Sequence, residues 1–265
     1  MTDSPAGVRT SLRHAALRTI TALILREMST RYGRTPGGYI WAILEPLGVI
    51  VMLAIGFSLL IRAPSLGTSF ILFYATGYLP FSLYVTVSNM VAKSIQFSRP
   101  LLFYPGVTWI DAVIARFLLN ALTGVLVMFL LLSGILWFTD TRTVIEMGPV
   151  IEATLLVALL ALGVGCLNCF LTMYFPVWDT IWSIVTRPLF LASGVFFLYE
   201  DMPPAAQAIL WYNPLIHTTG IVRTGFYPMY EASYAMALYP AVFGLICLTL
   251  GLLLLRRHHK ELINA

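Results

Sequence analysis

The sequence predicts an all-α, polytopic membrane protein, and two observations carry this prediction: its composition and its long uncharged stretches. Of the 265 residues, 59% are hydrophobic and only 11% are charged, whereas a soluble domain carries about 25% charged residues. Several uncharged stretches exceed the roughly 20 residues that a helix needs to cross a hydrocarbon layer of about 30 Å. Because the bilayer core offers backbone amides no water, such stretches are expected to be helices.

Six transmembrane helices are predicted from these stretches. They are expected near residues 38–61, 69–92, 112–138, 149–174, 177–199 and 233–255. The expected domain organisation is a cytoplasmic N-terminus over 1–36 and a six-span domain over 37–265, ending in a cytoplasmic tail over 256–265.

The segment before the first span has its own pattern. Leu17, Ile20, Ile24 and Met28 recur at helical spacing among arginines. This pattern favours an amphipathic helix that lies on the inner leaflet with its arginines near anionic headgroups. A flank that only orients the first span is the alternative.

The distribution of Lys and Arg places both termini in the cytoplasm. With that orientation, all basic residues except Arg62, Arg142 and Arg223 lie on the cytoplasmic side, as the positive-inside rule requires. Segment 202–222 is uncharged and long enough for a seventh span, but a seventh span would move the basic C-terminal tail outside. Prolines also divide this segment, notably at Asn213-Pro214. A re-entrant helical hairpin within an outer segment, 200–232, is therefore predicted before the last span.

Three cysteines, Cys166, Cys169 and Cys247, lie within predicted spans. Cys166 and Cys169 share one helix face, yet no nearby His or acidic residue completes a metal site. They are interpreted as small packing residues, and no metal site is predicted.

Two stretches resemble a known family. Leu23 to Leu47, LILREMSTRYGRTPGGYIWAILEPL, has the order Arg-Glu, Arg-Tyr, Gly, Trp and Glu-Pro found at the entry of polysaccharide-export ABC permeases. Tyr212 to Tyr227, YNPLIHTTGIVRTGFY, is similar to the Asn-Pro element and following Arg that precede the last span in this class. The chain resembles most the capsular-polysaccharide export permeases of Gram-negative bacteria, over nearly its whole length.

This resemblance implies a transport subunit rather than an enzyme. Two copies of the chain would form a homodimer around a canal for lipid-linked polysaccharide in the bacterial inner membrane, and two copies of a cytoplasmic ATPase would drive it. Periplasmic and outer-membrane export proteins would continue the route, and no nucleic acid is expected among the partners. The sequence has no Gly-rich phosphate loop, so ATP and Mg are expected on the partner ATPase and no cofactor on this chain.

The loop from Lys93 to Asp111 is the candidate for coupling to the ATPase. A short helix with aromatic anchors on the cytoplasmic face suits a groove in a partner, and the resemblance makes this the coupling helix. The candidate coupling residues are Phe97, Arg99, Leu102, Phe103 and Tyr104. The alternative is a loop whose aromatic rings lie among lipid headgroups.

A hinge is predicted at the entrance of the first span. Pro and Gly in Thr35-Pro36-Gly37-Gly38 disfavour helix, so the surface helix can tilt against the span; a passive connector is the alternative. The candidate entrance and gate residues are Arg31, Arg34, Gly37, Gly38 and Glu45.

Aromatic side chains are the candidates for the canal, because sugar rings stack on them. The candidate canal residues are Tyr39, Trp41, Tyr74, Tyr78, Tyr84, Trp178 and Trp182. Aromatic belts at the two membrane surfaces would explain many of the same positions. Arg223, in the re-entrant segment, would either meet a headgroup or polymer charge outside or pair with Glu200 or Glu231.

Other functions are less well matched by the residues. An O-antigen, teichoic-acid-like, lipid or drug exporter of the same class is the main alternative. An intramembrane serine protease is the distant one, with Ser193-Gly194 and His217 as its dyad, although these small residues also suit close helix packing. A secondary transporter would need ionisable residues at mid-depth, which the predicted spans lack.

Overall fold

The structure, a computed structural model, describes residues 11–32, 38–104, 106–139 and 144–264. This part of the chain is all-α, as predicted, and contains no strand. In chain order its helices are α1 (Ser11–Tyr32), α2 (Gly38–Ser58), α3 (Phe70–Ala92), α4 (Ser94–Leu102), α5 (Trp109–Phe138), α6 (Met147–Tyr174), α7 (Trp178–Ala192), α8 (Pro204–Leu210), α9 (Pro214–Phe226) and α10 (Leu238–Asn264). A 3-10 turn, Tyr199–Asp201, precedes α8.

Five helical segments of the described chain are long and apolar enough to cross a membrane. They are Ile40–Ser58, Phe70–Leu102, Trp109–Phe138, Met147–Tyr174 and Leu238–His259. The second of these segments contains both α3 and α4.

The predicted fifth span, 177–199, is shorter than expected. It corresponds to α7, whose 15 residues extend about 22 Å at 1.5 Å per residue, less than the hydrocarbon thickness. Gly194 follows with a φ of +72°, a left-handed conformation in which a helix cannot continue. The described chain therefore has five candidate spans where the sequence predicted six.

The centre of the bundle is formed by α3, α6 and α10. Helix α3 packs against α2, α5, α6 and α9, and α6 packs along α10. Small residues allow the α6–α10 approach: a Cβ on Gly163 would lie 2.2 Å from the Gly244 carbonyl oxygen, and one on Gly251 would lie 2.6 Å from the Leu167 nitrogen. The three cysteines are buried and free, as predicted.

Helix α1 packs on α5. The buried side chains of its described part are Leu23 and Glu27. The predicted apolar stripe is not this packed face: Leu17 is exposed, and Ile20, Ile24 and Met28 are half-buried. Contact of that stripe with lipid stays a prediction.

Segment 202–222 contains the short helix α8, of seven residues, and the start of α9, whose thirteen residues end at Phe226. Asn213 separates them and is the N-cap of α9: its side chain accepts a hydrogen bond from the Leu215 backbone N–H at 3.0 Å. Its side-chain amide donates to the Ala192 carbonyl at 2.9 Å, which ties the start of α9 to the end of α7. The predicted helix break at Asn213-Pro214 is thus present, and its depth in a membrane stays a prediction.

Candidate functional site

Two groups of candidate residues lie at different ends of the bundle. We call the region formed by α4, the end of α3, the start of α5 and α1 the α4 end. We call the region formed by α9 and the flanking segments 193–203 and 227–237 the α9 end.

The predicted coupling residues lie at the α4 end but differ in their surroundings. Phe103 and Tyr104, just beyond the last residue of α4, are exposed. Leu102 packs inward against a cluster that includes Cys169 and Phe170, and Arg99 is half-buried. The exposed aromatic surface is therefore largest at Phe103 and Tyr104, and contact of these residues with a partner stays a prediction.

Phe97, by contrast, contacts two arginines of its own chain. The guanidinium carbon of Arg116 lies 4.2 Å from the centroid of the Phe97 ring, and that of Arg26 lies 5.6 Å from it. Cation–π contacts of this kind stabilise the arginines. Phe97 therefore links α4 to α1 and α5, and it is also 38% exposed, so its predicted contact with a partner stays a prediction.

The start of α5 is fixed locally by a capping box. The Thr108 hydroxyl accepts a hydrogen bond from the Asp111 backbone N–H, and the Asp111 carboxylate accepts one from the Thr108 backbone N–H. These two bonds satisfy donors that a helix start leaves unpaired. Helix capping thereby accounts for the position of the Asp111 carboxylate.

A polar crevice of about 330 Å³ lies between α2, α3 and α5. Its polar lining includes the side chains of Glu45, Tyr78, Asn89, Asn120 and Thr123. Such groups in an apolar helical bundle are expected to face water or a polar ligand, since exposure to hydrocarbon is costly. Two predicted residues, Glu45 and Tyr78, meet here.

A second cavity, of about 650 Å³, lies on the other side of α3, between α3 and α7. Lys93, Asp179, Trp182 and Arg187 line it. Asn89 lines both cavities, so the last turns of α3 separate two polar spaces at the α4 end.

The predicted canal residues are distributed over several environments. Tyr74 and Tyr84 are buried within the helix core of the chain, where they have almost no exposed surface. Trp41 is exposed on α2. Trp178 stacks near Trp182 with ring centroids 6.4 Å apart and donates to the Asn168 side-chain oxygen.

The predicted entrance residues lie mostly outside the described part. Arg34 and Gly37 fall in 33–37, and the side chains of Arg31 and Tyr39 are likewise outside the described residues. Gly38 begins α2 with a φ of +31°. Glu45 is exposed and lines the first crevice.

At the α9 end, Arg223 is 1% exposed and lies in a setting that neither sequence-based alternative predicted. Its guanidinium donates hydrogen bonds to the Phe197 carbonyl at 3.0 Å and the Val195 carbonyl at 3.3 Å. The guanidinium carbon lies 4.3 Å from the centroid of the Phe73 ring. Within the described residues it forms no ion pair with Glu200 or Glu231. Its hydrogen bonds hold the segment after α7 in place instead.

Three tyrosines and the Glu200 carboxylate lie near this arginine. Tyr199 and Tyr234 stack with ring centroids 4.1 Å apart, and the Tyr230 hydroxyl donates to the Glu200 carboxylate. Burial raises the pKa of Tyr234 to about 12, so its hydroxyl stays protonated and can donate to the Ile216 carbonyl at 3.3 Å.

The proposed protease dyad has other partners. The Ser193 hydroxyl donates to the Leu189 carbonyl. His217 Nδ1 accepts a hydrogen bond from the Met236 backbone N–H, so Nε2 carries the proton and donates to the Trp211 carbonyl at 2.8 Å. Both ring nitrogens of His217 are thus occupied, and the histidine is not available as a base for Ser193.

Sequence reasoning missed the buried ion pair between Glu27 of α1 and Arg116 of α5. The two residues are 89 positions apart, so no local spacing connects them. One feature of the sequence could have indicated this pair: Glu27 is a single carboxylate in an otherwise basic helix, and a buried charge requires a partner.

Long apolar helices with polar crevices between them are typical of a helical membrane protein. Residues 18–227 match the ABC-2 type transporter family, and the chain belongs to this family. It is 30% identical over 250 residues to the polysialic acid transport protein KpsM of Escherichia coli, covering 93% of this chain and 96% of that protein.

Two further relatives match over 92% of this chain and 92% of their own length. The capsule polysaccharide export inner-membrane protein BexB of Haemophilus influenzae is 31% identical over 248 residues. The capsule polysaccharide export inner-membrane protein CtrC of Neisseria meningitidis serogroup A is 29% identical over 247 residues.

Proposed function

We propose that this chain is the membrane-spanning subunit of an ATP-driven exporter that moves lipid-linked capsular polysaccharide across the bacterial inner membrane. The observation that carries the proposal is the near full-length similarity to capsule-export and polysialic acid transport proteins. The polar crevices beside α3 support it, because hydroxyl and amide side chains suit the hydroxyl groups of sugars.

The partner proposed for the α4 end is a cytoplasmic ATPase, present in two copies, that binds ATP and Mg. Exposed Phe103 and Tyr104 beside α4 support this assignment, since clustered aromatic side chains are typical anchors in partner pockets. Two copies of this chain would form the permease, and periplasmic and outer-membrane proteins would receive the polymer.

A sixth crossing is proposed for α7. Five crossings from a cytoplasmic N-terminus would leave the C-terminus outside, whereas basic residues crowd the end of α10. Helix α7 has no buried residue, so it is free to face lipid or a second copy, and local thinning of the bilayer accommodates a short span. Reporter fusions at the C-terminus and in 93–104 should read cytoplasmic, and fusions in 199–203 periplasmic; a periplasmic C-terminus would eliminate the sixth crossing.

The entrance proposed for the substrate lies between α1 and α2. Arg31 and Arg34 would attract an anionic lipid-linked end, and Gly38 would allow α1 to tilt against α2. Glu45, Tyr78 and the neighbouring amide and hydroxyl groups of the first crevice would accept sugar hydroxyls. Trp41, Trp178 and Trp182 remain the candidates for contacts along the canal.

Deleting the gene in its own bacterium tests the substrate. Loss of surface capsule, with capsular polymer accumulating in the cytoplasm and O-antigen at its normal surface level, is the expected result. Loss of surface O-antigen with a normal capsule would instead assign the chain to the alternative export class. Re-expression of the intact chain should restore the capsule.

A further inference from the structure

One side chain, Arg116, contacts three other segments at the α4 end. It is 7% exposed, and Glu27 is 4% exposed. Its Nε lies 3.0 and 3.1 Å from the two carboxylate oxygens of Glu27 on α1. Its Nη1 donates to the carbonyls of Met90, at 3.3 Å, and Lys93, at 3.0 Å, where α3 gives way to α4.

The fourth contact of Arg116 is the Phe97 ring on α4, 4.2 Å from the guanidinium carbon. Arg26, the residue before Glu27, lies 5.6 Å from the same ring. Phe97 is therefore in contact with α1 through Arg26 and with α5 through Arg116.

The position of α1 depends on this arrangement. Leu23 and Glu27 are the buried side chains in the described part of α1. A carboxylate buried without its partner is strongly unfavourable, so Glu27 keeps its place on α5 only while Arg116 is oriented toward it. Two of the groups that orient Arg116, the Lys93 carbonyl and the Phe97 ring, belong to the start of α4.

We infer that Arg116 is a positioning residue that transmits displacement of α4 to α1 through Glu27. The inference rests on the proposed function, in which the ATPase moves α4. The guanidinium is a planar fork whose donors have fixed relative directions. When the Lys93 carbonyl and Phe97 move, Arg116 cannot follow them without carrying its bonds to Glu27 along, and α1 moves with it.

The first test uses the unaltered ion pair. Spin labels at Leu25→Cys on α1, Gln96→Cys on α4 and Arg257→Cys on α10, all exposed positions, report distances by double electron–electron resonance in the complex with its ATPase. The native thiols are buried, so labelling selects the introduced ones. On adding ATP, the distances from α10 to α1 and to α4 should change together, while the distance between α1 and α4 stays constant. Movement of α4 alone would overturn the inference.

The second test breaks the link. Arg116→Lys keeps a positive charge near Glu27 but loses the fork, and Glu27→Gln removes the charge while keeping the shape. In both variants the ATP-dependent change at α1 should disappear while that at α4 persists. Polysaccharide export should fall about tenfold or more, with ATP hydrolysis within about twofold of the unaltered complex. Arg62→Lys, an exposed arginine away from the α4 end, is the matched control.

The outcomes separate the inference from the proposed function. Normal export in both variants, or ATP hydrolysis and export that fall in proportion, would refute the transmitting role of Arg116. If α1 and α4 move together but the complex exports a polymer other than capsular polysaccharide, the inference stands and the substrate proposal fails. If ATP moves neither helix, both the coupling assignment and the inference fail.

Discussion

The α4 end and the α9 end are held together by different kinds of interaction. At the α4 end, charged side chains pair across helices: Glu27 with Arg116, and Lys93 with Asp179. At the α9 end, the buried cation Arg223 donates to backbone carbonyls and has no carboxylate partner among the described residues, whereas Arg116 has a carboxylate besides its two carbonyls.

This difference indicates which end can change shape. The exposed Lys93–Asp179 pair, 3.8 Å apart, persists through small shifts of its helices, because attraction between opposite charges falls slowly with distance. A hydrogen bond weakens steeply when its angle changes, so the carbonyls of Val195 and Phe197 hold Arg223 in one geometry. We therefore expect substitutions at the α9 end to lower stability, and substitutions at exposed positions of the α4 end to leave stability nearly unchanged. The buried pair of Glu27 and Arg116 is the exception, because loss of either partner leaves a buried charge unpaired.

The largest effect is expected at Arg223. In Arg223→Met the Val195 and Phe197 carbonyls lose their donor, and each unsatisfied buried group costs about 1–3 kcal/mol, so the free energy of unfolding should fall by about 2–6 kcal/mol. Thermal unfolding of the purified chain in detergent measures the change. Arg62→Met, an exposed arginine, is the control, and equal melting temperatures for the two variants would contradict the role assigned to Arg223.

A smaller loss of stability is expected at Asn213, where the hydrogen bond that the side chain accepts can be separated from those that it donates to Ala192 and Ser193. Asn213→Ala removes both the N-cap of α9 and the bond to the Ala192 carbonyl, and loss of a cap alone costs about 1 kcal/mol. Asn213→Asp keeps the cap acceptor and loses the donor. We expect the unfolding temperature to be highest for the unaltered chain, lower for Asn213→Asp and lowest for Asn213→Ala. Equal unfolding temperatures for the two variants would mean that the bond to α7 contributes more to stability than the cap.

The apolar spans could be predicted because the bilayer imposes helices on any long uncharged stretch, whatever surrounds it. The end of α7 could not, because it depends on the left-handed conformation of Gly194. A glycine in the sequence permits that conformation without requiring it. The break at Asn213-Pro214 was predictable, since an Asn cap followed by Pro at the first helical position is a local signal.

The partners of individual side chains could be predicted less well. Tyr74 and Trp41 were equivalent candidates from the sequence, yet α3 has neighbours around most of its surface and buries Tyr74, while α2 leaves Trp41 exposed. Arg223 was expected to meet a headgroup or polymer charge or to pair with a carboxylate, but its partners in the described chain are carbonyls of a segment about 26 residues earlier. Such contacts depend on the packing of whole helices, which residue spacing does not record.

At the start of α2, Gly38 provides a test of transport without a large change in stability. Gly38→Ala places a Cβ on a residue with a φ of +31°, and a left-handed conformation costs such a residue about 1–2 kcal/mol. We expect the junction before α2 to adopt another conformation, with export reduced and ATP hydrolysis retained. Gly56→Ala, in the same helix with no atom within 4 Å of the added Cβ, should export normally; an equal loss in both variants would exclude a special role for Gly38.

The smallest effect is expected for Lys93 and Asp179, whose charged atoms are 3.8 Å apart and whose side chains are 52% and 62% exposed. Exposed pairs contribute about 0.2–1 kcal/mol, because water competes with the contact. A double-mutant cycle of Lys93→Met and Asp179→Asn should therefore give a coupling energy within that range. The coupling should also disappear at an ionic strength of about 1 M, where the screening length is about 3 Å. A coupling above about 1 kcal/mol that survives such salt would mean that α3 and α7 are joined firmly at this end. The contact between Lys93 and Asp179 would then be as fixed as the contacts of the α9 end. The proposed role of Arg116 does not depend on this pair and would be unaffected.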